Sequence, residues 1–242
     1  MKLLQPEDWK DPQKILVILA HPDDPEFFCG GAIARWVEAG HEVTYSLITK
    51  GDKGLNNWAS VDPKELTHIR FNEQQKAAQV LGVKKVTFLS FEDGYLIPDL
   101  ELRKALVAEI RREKPDILVT CDPNGLYFRE NTLNHPDHIA AGKATLEAVN
   151  PAAGNPLFFP DLLENNLLPH SVKEVWLTLP ETANLVLDVT DHWKKKINAL
   201  ACHLSQVGDL YKFEERMKNR RTPSSTIKNP RYEEKFRRIN FR

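Results

Sequence analysis

Residues 14–20 read KILVILA, a lysine followed by an unbroken apolar run rich in β-branched side chains. A strand with one wet face alternates apolar and polar residues, whereas one covered on both faces does not have to. The run therefore predicts a central strand of a parallel sheet with helices on either side. The pattern downstream agrees. Residues 25–39 read as a helix, with Ile33, Trp36 and Val37 at helical spacing and Gly40 as the stop. A strand is expected at 41–49, a helix at 63–81 stopped by Gly82, and a strand at 86–90. A helix with Leu102, Leu106 and Ile110 on one stripe follows at 100–113, then a strand at 117–121 and a helix at 136–149. This βα alternation predicts an α/β fold: a Rossmann-like, mostly parallel sheet wound right-handed, with helices on both faces. Two further strands, at 172–177 and 185–189, and a helix at 191–204 follow a stretch rich in Pro and Asn.

The chain of 242 residues suits one domain. Its charge is uneven. Residues 212–242 hold eleven Lys or Arg against four Asp or Glu, in a chain of net charge -1. The expected organisation is an α/β domain over 1–211 and a basic C-terminal extension over 212–242, either a solvated arm or a subunit contact. No nucleic-acid motif accompanies the charge, so no nucleic-acid partner is expected. The longest apolar run near the front is far short of the ~20 residues of a membrane span, and a polar 1–14 does not read as a secretory leader. Three widely spaced cysteines fit neither a disulfide framework nor a Cys-based zinc site. These features point to the reducing cytoplasm.

In open α/β sheets, ligands sit outside the carboxyl ends of the strands. After the first strand comes His21-Pro22-Asp23-Asp24-Pro25-Glu26, and after the fourth, Asn134-His135-Pro136-Asp137-His138. Imidazoles and carboxylates are metal ligands. Two His/Asp-dense segments at one sheet edge are therefore a candidate metal site made from His21, Asp23, Asp24, His135, Asp137 and His138. Each segment also has a Pro where a helix would begin, so a helix cap is the alternative reading of Asp24, Asn134 or His135. The glycine-rich phosphate cradles and the G-x-S-x-G nucleophile elbow are absent.

Residues 20–26 with Gly30-Gly31, and the later His135-Pro136-Asp137-His138, resemble the AHPDD-x-E and H-P-D-H signatures of the PIG-L/LmbE-like de-N-acetylase family. The likeness continues through Thr49-x-Gly51-x-x-Gly54, Arg70-x-x-Glu73 and Asp93-Gly94 to His203-x-Ser205-Gln206. It implies a zinc-dependent hydrolase that removes acetyl groups from N-acetylglucosamine-type amino sugars or their conjugates, with one Zn2+ per chain; Fe2+ and Co2+ are alternatives. It implies His21, Asp24 and His138 as metal ligands and Asp23 as general base. His135 would polarise the reacting group or protonate the leaving amine, with Asp137 orienting it. Arg70 and Asp93 would contact the sugar, and the chain would form a homo-oligomer such as a hexamer. Some family members carry a Tyr two positions before the first His of H-P-D-H; here that position is Leu133, and Tyr127 is a candidate substitute. Local alternatives stand beside these roles: an Arg70–Glu73 salt bridge one helical turn apart and an ordinary Asp93-Gly94 turn. Two rival functions also remain: an amidase for a thiol conjugate or natural product, and a non-catalytic metal- or nucleotide-binding module.

Overall fold

The computed structural model describes residues 9–54, 62–129 and 132–241. Strands and helices alternate from β1 (Lys14–Leu19) through α1 (Asp24–Glu38), β2 (Glu42–Thr49), α2 (Pro63–Leu81), β3 (Lys85–Phe91) and α3 (Leu100–Glu113) to β4 (Ile117–Cys121). A short hairpin, β5 (Tyr127–Arg129) and β6 (Thr132–Leu133), precedes α4 (Pro136–Glu147). The remainder supplies α5 (Asp161–Glu164), β7 (Glu174–Thr178), β8 (Leu185–Asp188), α6 (Trp193–Leu200), α7 (Leu204–Val207), α8 (Leu210–Lys218) and β9 (Glu233–Asn240).

Seven strands form one sheet in the order β3-β2-β1-β4-β7-β9-β8. The run from β3 to β7 is parallel, with Val17 registered against Tyr45 on one side and Val119 on the other. Successive β1 side chains enter two separate cores, as its continuous hydrophobicity requires. Ile15, Val17 and Leu19 pack with Ile33 and Trp36. Leu16, Ile18 and Ala20 pack with Leu106, Ile110 and Ala144. The chain runs outward from β1 through β2 to β3, then returns to β1's other side as β4. This reversal opens a crevice at the carboxyl ends of β1 and β4.

The expectation of an extension over 212–242 needs correction. Within it, β9 inserts between β7 and β8 and pairs antiparallel with both. Its Lys235 and Arg237 occupy exposed positions that alternate with buried Glu234 and Phe236. One of the two inward residues is thus a carboxylate, which hides the usual alternation of a strand. The expected helix at 191–204 is divided between α6 and α7, broken at 201–203.

The packing of α4 on β4 leaves no room for a side chain at Gly142. A Cβ there would lie 2.3 Å from the Cys121 carbonyl oxygen, which is backbone and cannot swing aside. Gly142→Ala gains about 1 kcal/mol of helix propensity, but overpacking costs about 1–3 kcal/mol, and a clash this close with backbone belongs at the upper end. A net loss of stability is expected, read as a lower thermal midpoint. An unchanged or higher midpoint would show that the α4–β4 contact is looser than described.

Candidate active site

The crevice gathers His21, Asp23 and Asp24 from the β1–α1 turn and His135, Asp137 and His138 from the start of α4. Asp24 lies between two imidazoles. Its Oδ2 is 3.3 Å from His21 Nδ1, and its Oδ1 is 3.1 Å from His138 Nε2. Each ring's other nitrogen faces an acceptor. His138 Nδ1 donates to Asn134 Oδ1 at 2.9 Å, an oxygen that also accepts the His135 N–H. His21 Nε2 faces Asp93 Oδ1 at 3.1 Å and Asp137 Oδ2 at 3.3 Å. These partners place the ring hydrogens on His138 Nδ1 and His21 Nε2, so the lone pairs of His21 Nδ1 and His138 Nε2 are turned toward a carboxylate. Lone pairs face one another across about 3 Å comfortably only around a cation or a proton. The donor set therefore fits a metal, and the ligand atoms of His21, Asp24 and His138 lie within 4.8 Å of one another.

The electrostatics agree. Burial opposes charge on His21, but the Asp24 carboxylate and the hydrogen bonds to Asp137, Asp24 and Asp93 outweigh it and raise the imidazole well above its ordinary value. Burial likewise opposes ionisation of Asp24, yet His138 and His21 hold its carboxyl far below the usual range. A field that favours a proton on His21 also favours a cation.

Asp23 has a different setting. Burial, reinforced by the neighbouring Asp24 charge, pushes its carboxyl up to about 6 despite the opposing Arg70 guanidinium. Its backbone is left-handed, at φ 82°, which turns it away from Asp24. Arg70 Nη2 donates to Asp23 Oδ2 at 3.3 Å and to the Pro22 carbonyl at 2.7 Å, and Nη1 donates to the Gly51 carbonyl at 2.7 Å. Gly51, itself at φ 68°, leaves that path open: a Cβ there would fall 2.4 Å from Arg70 Nη1.

Several expected residues make contacts other than those the sequence suggests. Arg70 and Asp93, read as sugar contacts, line the cleft, but their polar groups serve Asp23 and His21. Asp93 Oδ2 also accepts the Lys53 N–H at 2.8 Å. Glu73 meets the Ser205 N–H at 2.8 Å and its hydroxyl at 2.6 Å. The Asp137 carboxylate accepts the Gly94 and Leu96 N–H groups and faces His21, not His135. Only the Asp137 backbone N–H reaches His135, donating to Nδ1 at 3.1 Å and making His135 the helix N-cap. The helix-cap and site-lining readings of His135 therefore hold together, and the cap leaves the ring hydrogen on Nε2. Burial and the neighbouring His21 and His138 rings lower the His135 pKa, so the ring is a neutral donor at neutral pH. Tyr127 lies opposite Leu133 across the β5–β6 pair, and both are exposed. Trp36 is fully buried in the core.

Gln74 escapes sequence reasoning, and Asn134 is read there only as a candidate helix cap. Both are uncharged amides, and nothing in an amphipathic helix marks Gln74 or in a loop marks Asn134 as a partner of the His138 ring. Asn134 anchors the His138 ring; Gln74 touches the Asp23 backbone. Two cavities meet at Asp24 and His138. One is a polar cleft of about 270 Å³ that includes His21, Asp23, Arg70 and His135. The other is a groove of about 1250 Å³ with Phe27, Phe28, Tyr127 and Trp193 on its walls.

Comparison with known proteins gives the chain's family. The PIG-L profile, described as GlcNAc-PI de-N-acetylase, matches residues 16–149. A diacetylchitobiose deacetylase of Thermococcus kodakarensis is 36% identical over 200 residues, covering 83% of this chain and 72% of the relative. A probable N-acetyl-alpha-D-glucosaminyl L-malate deacetylase 2 of Bacillus cereus is 30% identical over 198 residues, covering 79% of this chain and 83% of the relative. The solved structure of N,N'-diacetylchitobiose deacetylase from Pyrococcus horikoshii matches with a TM-score of 0.84 at 32% identity, over 96% of this chain and 85% of that one. The matched span runs from β1 through α4 and so contains every metal-binding candidate; with these relatives along most of its length, the chain belongs to the PIG-L family.

Proposed function

We propose that the protein is a zinc-dependent N-deacetylase acting on an N-acetylglucosamine-type amino sugar or its conjugate. The observation that carries this reading is the pair of imidazole lone pairs converging on Asp24 beside a second carboxylate, Asp23, that is turned away from them. The names of the relatives support the substrate class. The groove of about 1250 Å³ leaves room for a substrate larger than one sugar. A metal- or nucleotide-binding module would have no use for Asp23 and His135 beside the ligands.

His21, Asp24 and His138 would hold the cation, with Asp93 and Asp137 fixing the His21 ring. When bound, the cation polarises the acyl oxygen and makes a water acidic near neutral pH. Asp23 accepts the proton of the attacking water, and a carboxyl poised near 6 suits that exchange. The left-handed turn and Arg70 keep it clear of the ligand set. His135 Nε2–H donates to the oxygen that gains negative charge, helped by the α4 N-terminus. The proton gathered on Asp23 is then available to the departing nitrogen, giving acetate and a free amine. Free thiols at Cys29, Cys121 and Cys202 suit a reducing cytoplasm. Among the described residues no helix is long and apolar enough to cross a membrane. The reading includes homo-oligomeric assembly, which light scattering of the full chain measures.

The direct test is amine release from N,N'-diacetylchitobiose and simpler N-acetyl sugars by protein loaded in turn with zinc, iron and cobalt. No release with any of the three metals from any of these sugars would reject the assignment. The ligand set has its own test. His138→Ala and Asp24→Ala should weaken metal binding by more than the ~10–100-fold typical of losing an outer partner. Asp137→Asn should fall within that ~10–100-fold range, because it acts through His21. Elemental analysis and metal titration read both effects. Full stoichiometry in His138→Ala would remove it from the ligand set.

A further inference from the structure

Beneath Asp23 lies a chain of buried polar groups that the reaction does not use directly. The Asp23 N–H donates to Gln74 Oε1 at 2.8 Å. Gln74 Nε2 donates to both Glu26 oxygens, at 3.0 and 3.1 Å. Glu26 Oε2 is 3.2 Å from His203 Nε2. Gln74, Glu26 and His203 are all fully buried. They come from α2, α1 and the start of α7, so the chain ties three elements to one backbone amide. That amide belongs to a residue with φ 82°, a conformation that costs a side-chain-bearing residue energy and persists only when its surroundings fix it.

We infer that Gln74 is a positioning residue for Asp23, with Glu26 and His203 setting the orientation of its amide. This rests on the proposed role of Asp23 as the base. The argument is one of donors and acceptors. Asp23 needs an acceptor for its N–H, and a glutamine can present either end. Glu26 is acceptor-only when ionised, so it binds the Nε2 end and directs the Oε1 end at Asp23. His203, placed on the far side of Glu26, holds that carboxylate in place. Arg70 grips the Asp23 side chain and Gln74 grips its backbone. With both in place the carboxylate has one direction; with Gln74 removed, the φ of the turn is free to relax and the carboxylate moves relative to the reacting water. Catalytic groups tolerate little displacement, and an error of about 1 Å can cost on the order of a hundredfold in rate.

The test uses full-length, metal-loaded protein with N,N'-diacetylchitobiose as the probe. Gln74→Met keeps the volume and removes the acceptor. It should lower kcat by about tenfold to a hundredfold, with KM and metal content near wild type. Gln74→Asn, too short to reach, is the second arm if Gln74→Met does not fold, and should show the same kcat loss. The double variant Gln74→Glu/Glu26→Gln exchanges amide and carboxylate, keeps the net charge, and restores an acceptor for Asp23 and a donor toward it from position 26. It should recover most of the lost kcat, which a merely space-filling role for Gln74 would not produce. Wild-type kcat in Gln74→Met overturns the inference, as does a folded, metal-loaded double variant no faster than Gln74→Met. Asp23→Asn measured alongside separates the two layers. If it keeps full kcat, the assignment of the base is wrong; if it is slow while Gln74→Met is fast, only the positioning role of Gln74 falls.

Discussion

Asp23→Asn is expected to keep its metal and lose about 10²–10⁴ in rate, the usual worth of a positioned proton acceptor. Asp23 and Asp24 are adjacent and chemically identical, so only their surroundings separate them. Asp24 accepts the His21 N–H at 2.8 Å and has an imidazole against each carboxylate oxygen. That environment holds it ionised and suits it to the proposed role of ligand. Asp23 faces Arg70 and the cleft, and burial raises its carboxyl to about 6. Asn preserves size, and its amide can still meet Arg70 through its oxygen, so the turn should survive. Metal content and amine release measured on the same preparation decide the matter. An empty Asp23→Asn protein together with a filled Asp24→Ala protein would exchange the two roles. A filled and fully active Asp23→Asn protein would end the proposed mechanism.

The proposed ligands are legible in the sequence because they combine two local signals. His21, Asp24 and His138 are metal-binding residue types, and they stand where apolar strands stop. Continuous hydrophobicity in β1 and β4 reveals burial on both faces, which in turn reveals a parallel sheet and its ligand-binding edge. Gln74 has neither signal. Its importance comes from a contact 51 residues distant in sequence, and helical periodicity cannot distinguish a buried amide from a surface one. The partners of Asp137 are hidden for the same reason. A carboxylate two residues from His135 invites a local pairing, but α4 starts between them and points the Asp137 side chain at His21 and the Gly94 and Leu96 amides. Strand β9 is concealed by its own charges. Lys235 and Arg237 face water, and Glu234 points inward with Lys196 as its partner.

That inward Glu234 explains why a chain ending at residue 211 should fail to fold, instead of folding as a domain without a basic arm. The Glu234 carboxylate accepts the Gly31 and Ala32 N–H groups at 2.9 and 2.7 Å, just past the point where α1 departs from helical geometry at Cys29. It thus caps the second half of the helix that carries the first metal-binding segment. Lys196 Nζ donates to Glu234 at 2.6 Å and to the Phe27 carbonyl at 2.8 Å, and both charged side chains are buried. Truncation leaves Lys196 buried without its countercharge, a change worth about 3–5 kcal/mol. It also removes Phe236, fully buried against Trp36 and Trp176, and loss of a buried Phe side chain costs about 3–5 kcal/mol. The backbone partners of both β7 and β8 go with the strand. Against a total stability of about 5–15 kcal/mol for an ordinary domain, these losses leave little or nothing. The fragment 1–211 should therefore show no cooperative thermal transition by circular dichroism. Glu234→Gln in the full chain should fold with a lowered midpoint, because the amide oxygen can still accept from one of the two α1 N–H groups while the other bond and the ion pair are lost. A fragment 1–211 that melts cooperatively near the full-length midpoint would mean that β9 is dispensable and that the basic segment is, after all, an appendage.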